Sequence, residues 1–330
     1  MTGPNSVTVS VPARLHFGFL DLNGELGRRF GSIGVAVSGL RTRLNIAPAR
    51  QMQVNGPDSA RARVYVEKLY DVLDLRGACR VDILEAIPSH AGLGSGTQLA
   101  IALSAAVRRL HDLPFDIRGD AVRLGRGGRS GVGIGLFDAG GVVVDGGRGE
   151  RSRAAPILSR IPFPDVWRIL LVLDRARTGV HGEDESAAFA RLPVFPAADS
   201  AQICRLVLMQ ALPALAERDI VSFAGAIKEM QRMLGAYFAP LQGGAAFASP
   251  DVAAALELME GEGALGIGQS SWGPTGFAFA ASRDEAERLV AFARHHPRCR
   301  GLDIRAGKGL NHGADVAIDA ADAVDAIQHR

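Results

Sequence analysis

The chain has 330 residues, of which 47% are hydrophobic and 22% are charged, and its formal net charge is +2. This length and composition are typical of a folded protein of two ordinary domains and exclude a disordered chain. A nearly neutral chain has no general attraction for nucleic acid or for a membrane surface, so we expect small-molecule ligands. A polyanionic ligand must be held by local cations, which are arginines almost throughout, since the only lysines are Lys68, Lys228 and Lys308.

Cysteine usage and the N-terminal residues bear on where the protein works. Three isolated cysteines, without the paired spacing of a zinc site, indicate a reducing compartment: Cys79, Cys204 and Cys299. Residues 1–10 lack the basic and apolar segments of a secretory signal. The most apolar helical run, residues 99–107, is too short to cross a bilayer. We therefore expect a cytoplasmic protein.

The chain begins with an alternating strand pattern over residues 6–11 that continues into a partly polar stretch. The polar residues of that stretch are Arg14, His16 and Asp21. They fit either an exposed sheet face or the wall of a site, and the loop that follows favours a site because it carries Arg28 and Arg29. Further patterns predict strands over residues 35–46 and 79–87 and helices over residues 62–75 and 98–111.

A glycine-rich segment, residues 87–100, joins the last of these strands to the second helix. Glycines allow a ligand to approach the backbone closely, and the unpaired N–H groups and dipole of a helix N-terminus favour an anion. An ordinary capped helix start is the alternative, but the regular alternation of three glycines with other residues favours phosphate binding. The predicted phosphate-binding residues are Gly92, Leu93, Gly94, Ser95, Gly96 and Thr97.

A second glycine-rich stretch covers residues 125–149. We expect no regular helix in it, because each glycine costs about 1 kcal/mol relative to alanine in a helix. A flexible linker would lack its apolar residues, which are Val132, Ile134, Leu136 and Phe137. The stretch therefore predicts an ordered loop against a site, followed by a buried strand over residues 141–145.

Residues 151–164 are aperiodic and predict a domain junction, which divides the chain into domains 1–160 and 161–330. The second half predicts strands over residues 167–174, 276–280, 300–305 and 315–319, and helices over residues 200–217, 220–237, 250–260 and 283–295.

Two turns of the second half carry candidate site residues. Residues 266–276 contain Ser271 and Trp272, and form either a plain β-turn or a site loop. Residues 305–313 join two predicted strands through glycines that flank Lys308. Lys308 points either into the cleft between the domains or to solvent from an exposed hairpin, and the sequence leaves both possibilities open.

The segment from Pro88 to Ser95 resembles the central motif of the GHMP kinase superfamily, although Gly96 stands where the kinases usually have a second serine. Four segments together resemble its β-ribofuranosylaminobenzene 5′-phosphate synthase branch: residues 14–21, 91–98, 129–141 and 269–274. The resemblance covers residues 7–318, nearly the whole chain.

The resemblance implies a GHMP-kinase-like two-domain α+β fold, with an N-terminal sheet that has a left-handed crossover and a ferredoxin-like C-terminal domain. It implies a glycosyltransferase that condenses phosphoribosyl pyrophosphate with 4-aminobenzoate or 4-hydroxybenzoate and releases carbon dioxide and pyrophosphate. The product, a β-ribofuranosyl arene 5′-phosphate, enters tetrahydromethanopterin biosynthesis. We further expect a homodimer, and Mg²⁺ on the pyrophosphate because hard oxygen ligands suit it.

This reaction gives the candidate residues their roles. Departure of pyrophosphate leaves an oxocarbenium-like ribose, and the glycine-segment amides with nearby arginines would stabilise the departing charge. The expected substrate-binding residues are Arg14, His16, Arg28, Arg29, Arg129, Ser271, Trp272 and Lys308. Asp138 is either a catalytic group or a plain turn aspartate, and Arg61 is expected on the surface.

Two other functions remain compatible with such a fold. A small-molecule kinase would bind ATP on the same segment, and the replacement of its second serine by Gly96 argues against it. A non-catalytic ligand sensor is the other alternative, and the absence of any appended DNA-binding module argues against that.

Overall fold

The computed structural model describes residues 4–150, 152, 154–179, 189 and 191–319. In this part of the chain one sheet has eight strands, and β1, β2, β4 and β3 follow one another across it. Its strands are β1 (Ser6–Asp21), β2 (Arg28–Ala49), β3 (Gln53–Asn55), β4 (Ala78–Glu85), β5 (Val142–Asp145), β6 (Arg148–Gly149), β7 (Ile157–Ile161) and β12 (Asp315–Asp319). Strand β12 adds to the free side of β1, while β5 pairs with both β2 and β7.

Four helices accompany this sheet in the described part of the chain: α1 (Ser59–Val72), α2 (Ser95–Leu110), α3 (Ile117–Arg123) and α4 (Val132–Ala139). Helix α2 is buried along almost its whole length, because its own residues are apolar on nearly every face and pack into the core. The Gln98 side-chain amide donates to the Pro12 carbonyl at 2.7 Å, which fixes the start of α2 against β1. The sheet therefore holds the N-terminus of α2 in a defined place.

The second sheet has the strand order β11-β8-β10-β9, with antiparallel neighbours throughout. Its strands are β8 (Arg168–Asp174), β9 (Leu265–Gln269), β10 (Thr275–Ala280) and β11 (Leu302–Gly307). The helices around it are α5 (Ala197–Leu206), α6 (Leu212–Glu217), α7 (Ile220–Phe238), α8 (Pro250–Gly261) and α9 (Arg283–His295), with a π-helical turn at Val207–Ala211 between α5 and α6. In chain order the four strands lie 4-1-3-2, the ferredoxin-like arrangement, which confirms the expected C-terminal architecture.

The expectation of no helix in the glycine-rich stretch is wrong, because α4 runs through it from Val132 to Ala139. Packing overrides the low helix propensity of glycine here. Gly133 and Gly135 let α4 approach its neighbours: a Cβ on Gly133 would lie 3.2 Å from Thr97, and one on Gly135 would lie 2.6 Å from Ile157. The apolar residues that argued against a linker are the buried face of this helix.

The predicted domain junction also contains structure, since β7 pairs with β5 inside the first sheet. Residues 305–313 are not a hairpin, because β11 belongs to the second sheet and β12 to the first. The chain thus returns to the first sheet after completing the second, and the boundary at residue 160 stays a prediction. None of the described helices is both long and apolar enough to span a membrane.

Candidate active site

The site is built where the segment before α2 meets the turn after β9. We call residues 91–97 the glycine loop and residues 270–274 the tryptophan turn. The Ser270 hydroxyl donates to the Gly92 carbonyl at 2.8 Å and accepts from the backbone N–H of His16 at 3.1 Å. Gly92 has φ +80°, and a Cβ on it would overlap the Ser270 carbonyl oxygen. Glycine is therefore required for the two domains to approach this closely.

The end of the glycine loop presents the N-terminus of α2. Gly94, with φ +77°, immediately precedes the first helical residue. The first N–H groups of a helix have no partner within it, and the helix dipole adds positive potential. Arg14 borders this end, since its backbone N–H donates to the Leu93 carbonyl at 3.1 Å and its Nη1 donates to the Gly92 carbonyl at 3.3 Å. This arrangement suits an anion.

Two further arginines converge on the same helix start, and sequence reasoning missed both. A Cβ on Gly96 would lie 3.2 Å from Arg61 Nη1 and 3.2 Å from Arg126 Cζ. Arg61, expected on the surface, also pairs with Asp58 and donates to the Ser95 hydroxyl at 3.5 Å. Its placement follows from the packing of α1 against α2, which is a tertiary contact that no local pattern encodes.

Arg126 is held in place by an aromatic side chain. Its guanidinium donates to the Tyr65 hydroxyl and lies 5.3 Å from the centre of that ring. The Nε atoms of Arg126 and Arg61 are buried and lack a hydrogen-bond partner among the described residues. Two guanidinium groups beside the first amides of a helix favour an anion, and we call this place the anion site.

A buried carboxylate supports the neighbouring segment. Asp145 ends β5 and accepts hydrogen bonds from the Ser32 hydroxyl at 2.5 Å, from the Gly131 N–H at 2.8 Å and from the Gly147 N–H at 2.9 Å. Burial raises the pKa of Asp145, although these hydrogen bonds and Arg14 oppose the rise. The sequence signal for this role is an aspartate at the end of a buried strand, followed by two glycines.

Next to Arg14 on β1 lies a second pocket, here called the aromatic pocket. Its lining includes His16, Phe19, Gln231, Phe238, Gln269 and Trp272, and Ser271 with φ +56° lies at its edge. Trp272 packs against Phe238 with ring centroids 4.8 Å apart. Because Arg14 and His16 are two residues apart on one strand, they share a face of the sheet and link the anion site to this pocket.

His16 is the most unusual residue of the aromatic pocket. It is 1% exposed, and neither ring nitrogen has a hydrogen-bond partner among the described residues. Burial first, and then the positive charge of Arg14, lower the pKa of His16 well below its usual value. The imidazole is therefore neutral near pH 7.

Of the three other arginines expected to bind substrate, one lies near the aromatic pocket and two lie on the surface. Arg129 lies above the Phe189 ring, 5.4 Å from its centre, near the aromatic pocket. Arg28 is exposed and donates to the Gly146 carbonyl at 2.8 Å and to the Gly147 carbonyl at 3.0 Å. Arg29 is exposed and donates to the Leu22 carbonyl at 3.1 Å. Arg28 and Arg29 thus bind backbone carbonyls, and no contact within the described part of the chain brings them to the anion site.

Lys308 and Asp138 are not brought to the site. Lys308 is exposed on a segment that bonds to β2, with its N–H donating to the Ser38 hydroxyl at 2.7 Å. Strand β1 separates that segment from the glycine loop, which bonds to the other edge of β1. Asp138 is exposed in the last turn of α4, about 7.5 Å along the axis from Gly133, the residue that contacts Thr97. No contact among the described residues brings either side chain to the anion site, and their roles stay predictions.

The described residues contain no group of three or more His, Cys, Asp or Glu side chains that could hold a metal ion. The carboxylates nearest the site already have partners, since Asp145 is fully hydrogen-bonded and Asp58 pairs with Arg61.

Comparison with known proteins agrees with this architecture. Residues 61–146 match the model of the GHMP kinases N terminal domain, and residues 211–298 match that of the GHMP kinases C terminal domain. The homoserine kinase from Cytophaga hutchinsonii superposes with a TM-score of 0.68 at 16% identity, covering 96% of this chain and 99% of that chain. At that identity the likeness concerns the fold alone.

Curated relatives match over nearly the full length. The beta-ribofuranosylphenol 5'-phosphate synthase of Archaeoglobus fulgidus is 32% identical over 326 residues, which cover 93% of this chain and 98% of the relative. The protein of the same name from Methanothermobacter thermautotrophicus is 28% identical over 328 residues, covering 93% of this chain and 97% of the relative. The chain therefore belongs to the family of the beta-ribofuranosylphenol 5'-phosphate synthases, which is built on the GHMP kinase fold.

Proposed function

We propose that this protein is a decarboxylating pentosyltransferase that joins phosphoribosyl pyrophosphate to a para-substituted benzoate and releases pyrophosphate and carbon dioxide. The observation that carries the proposal is the adjacency of the anion site and the aromatic pocket along one strand. The donors of the anion site suit the phosphates of one substrate, and the aromatic side chains of the pocket suit packing against the ring of the other. The names of the relatives specify a phenol product, which favours 4-hydroxybenzoate over 4-aminobenzoate as the arene.

The anion site would promote departure of the pyrophosphate. As the C1–O bond of the ribose breaks, negative charge builds on the leaving phosphate oxygens, and preorganised donors stabilise that charge. The first amides of α2, together with Arg61 and Arg126, supply such donors. Arg14 lies between this site and the aromatic pocket, where it can contact the departing group or the carboxylate of the arene.

The aromatic pocket would hold the ring so that its carboxylated carbon faces ribose C1. Holding two reactants at attack distance supplies a large part of the rate enhancement of a bimolecular reaction. The packing of Trp272 against Phe238, and the burial of both, restricts how a ring can enter.

Mg²⁺, a homodimer and a cytoplasmic location remain part of this proposal. The metal would be bound through the pyrophosphate of the substrate. Hard phosphate oxygens are suitable ligands for it.

The test is incubation with phosphoribosyl pyrophosphate, Mg²⁺ and 4-hydroxybenzoate or 4-aminobenzoate labelled in the carboxyl group. We expect labelled carbon dioxide and pyrophosphate to appear in equal amounts, with faster turnover of 4-hydroxybenzoate. A parallel incubation with ATP and candidate small-molecule acceptors tests for a kinase. Phosphotransfer from ATP without release of carbon dioxide from either benzoate would overturn the proposal.

A further inference from the structure

The aromatic pocket contains buried polar groups that the fold itself does not use. His16 is 1% exposed and Trp272 is 5% exposed. Both ring nitrogens of His16, and Nε1 of Trp272, lack a hydrogen-bond partner in the part of the chain that the structure describes. Buried polar atoms are nearly always paired, so unpaired ones in a cavity mark the place of a ligand or of water. Both residues line the same cavity.

The charge of the pocket decides which end of the arene enters it. Among the described residues its lining offers amides, a hydroxyl, an imidazole and aromatic rings, but no Arg, Lys, Asp or Glu side chain. A carboxylate placed there would lose its hydration without gaining a cation, which is strongly unfavourable. A hydroxyl or amino group is neutral and needs only hydrogen-bond partners. The para substituent therefore points towards His16, and the carboxylated carbon points towards the anion site.

Resting on the proposed function, we propose that His16 is a catalytic residue that accepts the proton of the para substituent while the ring attacks ribose C1, and returns it after decarboxylation. The proton moves between the substituent and one nitrogen of the imidazole. Trp272 Nε1 donates to the same substituent oxygen and orients it.

Each step balances for 4-hydroxybenzoate. A bond forms between the carboxylated ring carbon and C1, while the C1–O bond to pyrophosphate breaks and its electron pair leaves with pyrophosphate. Positive charge spreads to the para oxygen, whose proton passes to His16, leaving a neutral dienone. The ring–carboxylate bond then breaks, carbon dioxide leaves, and the electron pair of that bond restores the ring as a phenolate. The imidazolium of His16 returns the proton, so no oxidant or further reactant is needed.

The setting of His16 suits a base of this kind. Burial and Arg14 keep the imidazole neutral, so it carries a free electron pair at physiological pH. A weak base suffices because the hydroxyl proton becomes strongly acidic only once positive charge reaches the ring. The imidazole of His16 is also held in orientation, because it makes an edge-to-face contact with Phe19 at a centroid distance of 4.8 Å. The backbone N–H of His16 donates to the Ser270 hydroxyl, which fixes the main chain at this residue.

The first test is His16→Gln, which keeps a polar side chain of similar length but cannot take up a proton at neutral pH. In the wild-type enzyme, release of carbon dioxide establishes the proposed function independently of this residue. We expect kcat of the variant to fall by about 10²–10⁴-fold, the usual contribution of a general base, with KM for phosphoribosyl pyrophosphate little changed. The matched control is His111→Gln, at the opposite end of α2, where the histidine contacts Tyr70 at 3.0 Å.

A second substrate separates proton transfer from a structural role. 4-Methoxybenzoate has no proton on its para oxygen, so His16→Gln should slow its turnover by no more than the His111→Gln control. Imidazole added to His16→Ala should restore turnover of 4-hydroxybenzoate in proportion to its concentration. An equal fold-loss for both substrates, or absence of rescue in a variant with a wild-type circular dichroism spectrum, would overturn the assignment while leaving the pentosyltransferase proposal standing.

Discussion

Arg61 and Arg126 come from different elements and place their guanidinium groups side by side over Gly96, where atoms of both lie 3.2 Å from the position of a Cβ. Two cations this close repel one another, and the repulsion is relieved when an anion lies between them. Asp58 pairs with Arg61, whereas Arg126 is held by the hydroxyl of Tyr65. We therefore expect Arg61 and Arg126 to bind a polyanion together.

Replacing either arginine by alanine should weaken the binding of phosphoribosyl pyrophosphate. Loss of one charge-assisted hydrogen bond costs about 1.5–3 kcal/mol, so we expect Kd to rise by roughly one to two orders of magnitude for Arg126→Ala and for Arg61→Ala. Calorimetric titration measures this directly. Arg63→Ala is the matched control, because Arg63 lies on α1 with Arg61 and is half-exposed beside Glu67. Equal affinity of the Arg126→Ala and Arg63→Ala proteins would contradict the anion site.

Gly96→Ala tests the same site without removing a charge. Gly96 is helical, and alanine in a helix is favoured over glycine by up to about 1 kcal/mol, so the melting temperature should hold or rise. The new Cβ, however, forces both guanidinium groups to move by a few tenths of an ångström or more. We expect KM for phosphoribosyl pyrophosphate to rise about tenfold, in line with one weakened charge-assisted contact. A stabilised variant with wild-type KM would show that the arginines do not act from these positions.

Local patterns in the sequence predicted the parts of the site that a short segment can carry by itself. The glycine loop, the start of α2 and the polar face of β1 with Arg14 and His16 all rest on residues close together in the chain. Periodic patterns likewise predicted β8, β10, β11 and α9, whereas the ferredoxin-like arrangement was expected from the family resemblance and β9 was not predicted as a strand.

What the patterns could not supply was contact between distant segments. Arg61 reaches Gly96 because α1 packs on α2, and the glycines of α4 form a helix because their lack of side chains permits close packing. The glycines that flank Lys308 leave both a cleft position and a solvent position open in the sequence, and in the structure they lie at the crossing between the sheets. Propensity and composition describe a residue and its neighbours, whereas packing decides which faces meet.

Gly92→Ala tests the contact between the two domains. Gly92 combines φ +80° with an approach to Ser270 that leaves no room for a Cβ. Strain in the left-handed region costs about 1–3 kcal/mol, and the overlap adds to it, so the free energy of unfolding should fall by more than this. Gly77→Ala is the matched control, since Gly77 has φ +90° but no atom within 4 Å of its Cβ position.

Urea denaturation of the two proteins isolates the overlap, because both carry the same kind of backbone strain. We expect Gly92→Ala to be the less stable of the two and to bind phosphoribosyl pyrophosphate weakly, as the glycine loop must shift. If the two variants lose equal stability, the glycine loop does not contact the tryptophan turn as closely as the structure indicates.

The last prediction concerns the ion pair that anchors α2 at its far end. Asp120 of α3 is fully buried and accepts from Arg108 at 2.9 Å, from Ser104 at 2.6 Å and from Arg123 at 2.6 Å. Burial alone would raise the pKa of Asp120, but the hydrogen bonds and positive charges around it together hold that pKa below its usual value. Removing one partner of a buried pair costs about 3–5 kcal/mol, so Asp120→Asn should lower the free energy of unfolding by that order.

The pH dependence has a definite sign. Because the pKa of Asp120 is lower in the folded than in the unfolded protein, its contribution is fully present above the unfolded value of about 3.9 and is lost as pH falls through the folded value. The wild-type free energy of unfolding should therefore fall below about pH 4 by an increment that Asp120→Asn does not show. Denaturation at several pH values between neutral and acidic measures the difference between the two proteins. A constant difference down to strongly acidic pH would mean that Asp120 is not ionised in the folded state, and that its pairing with Arg108 does not hold α2 in place.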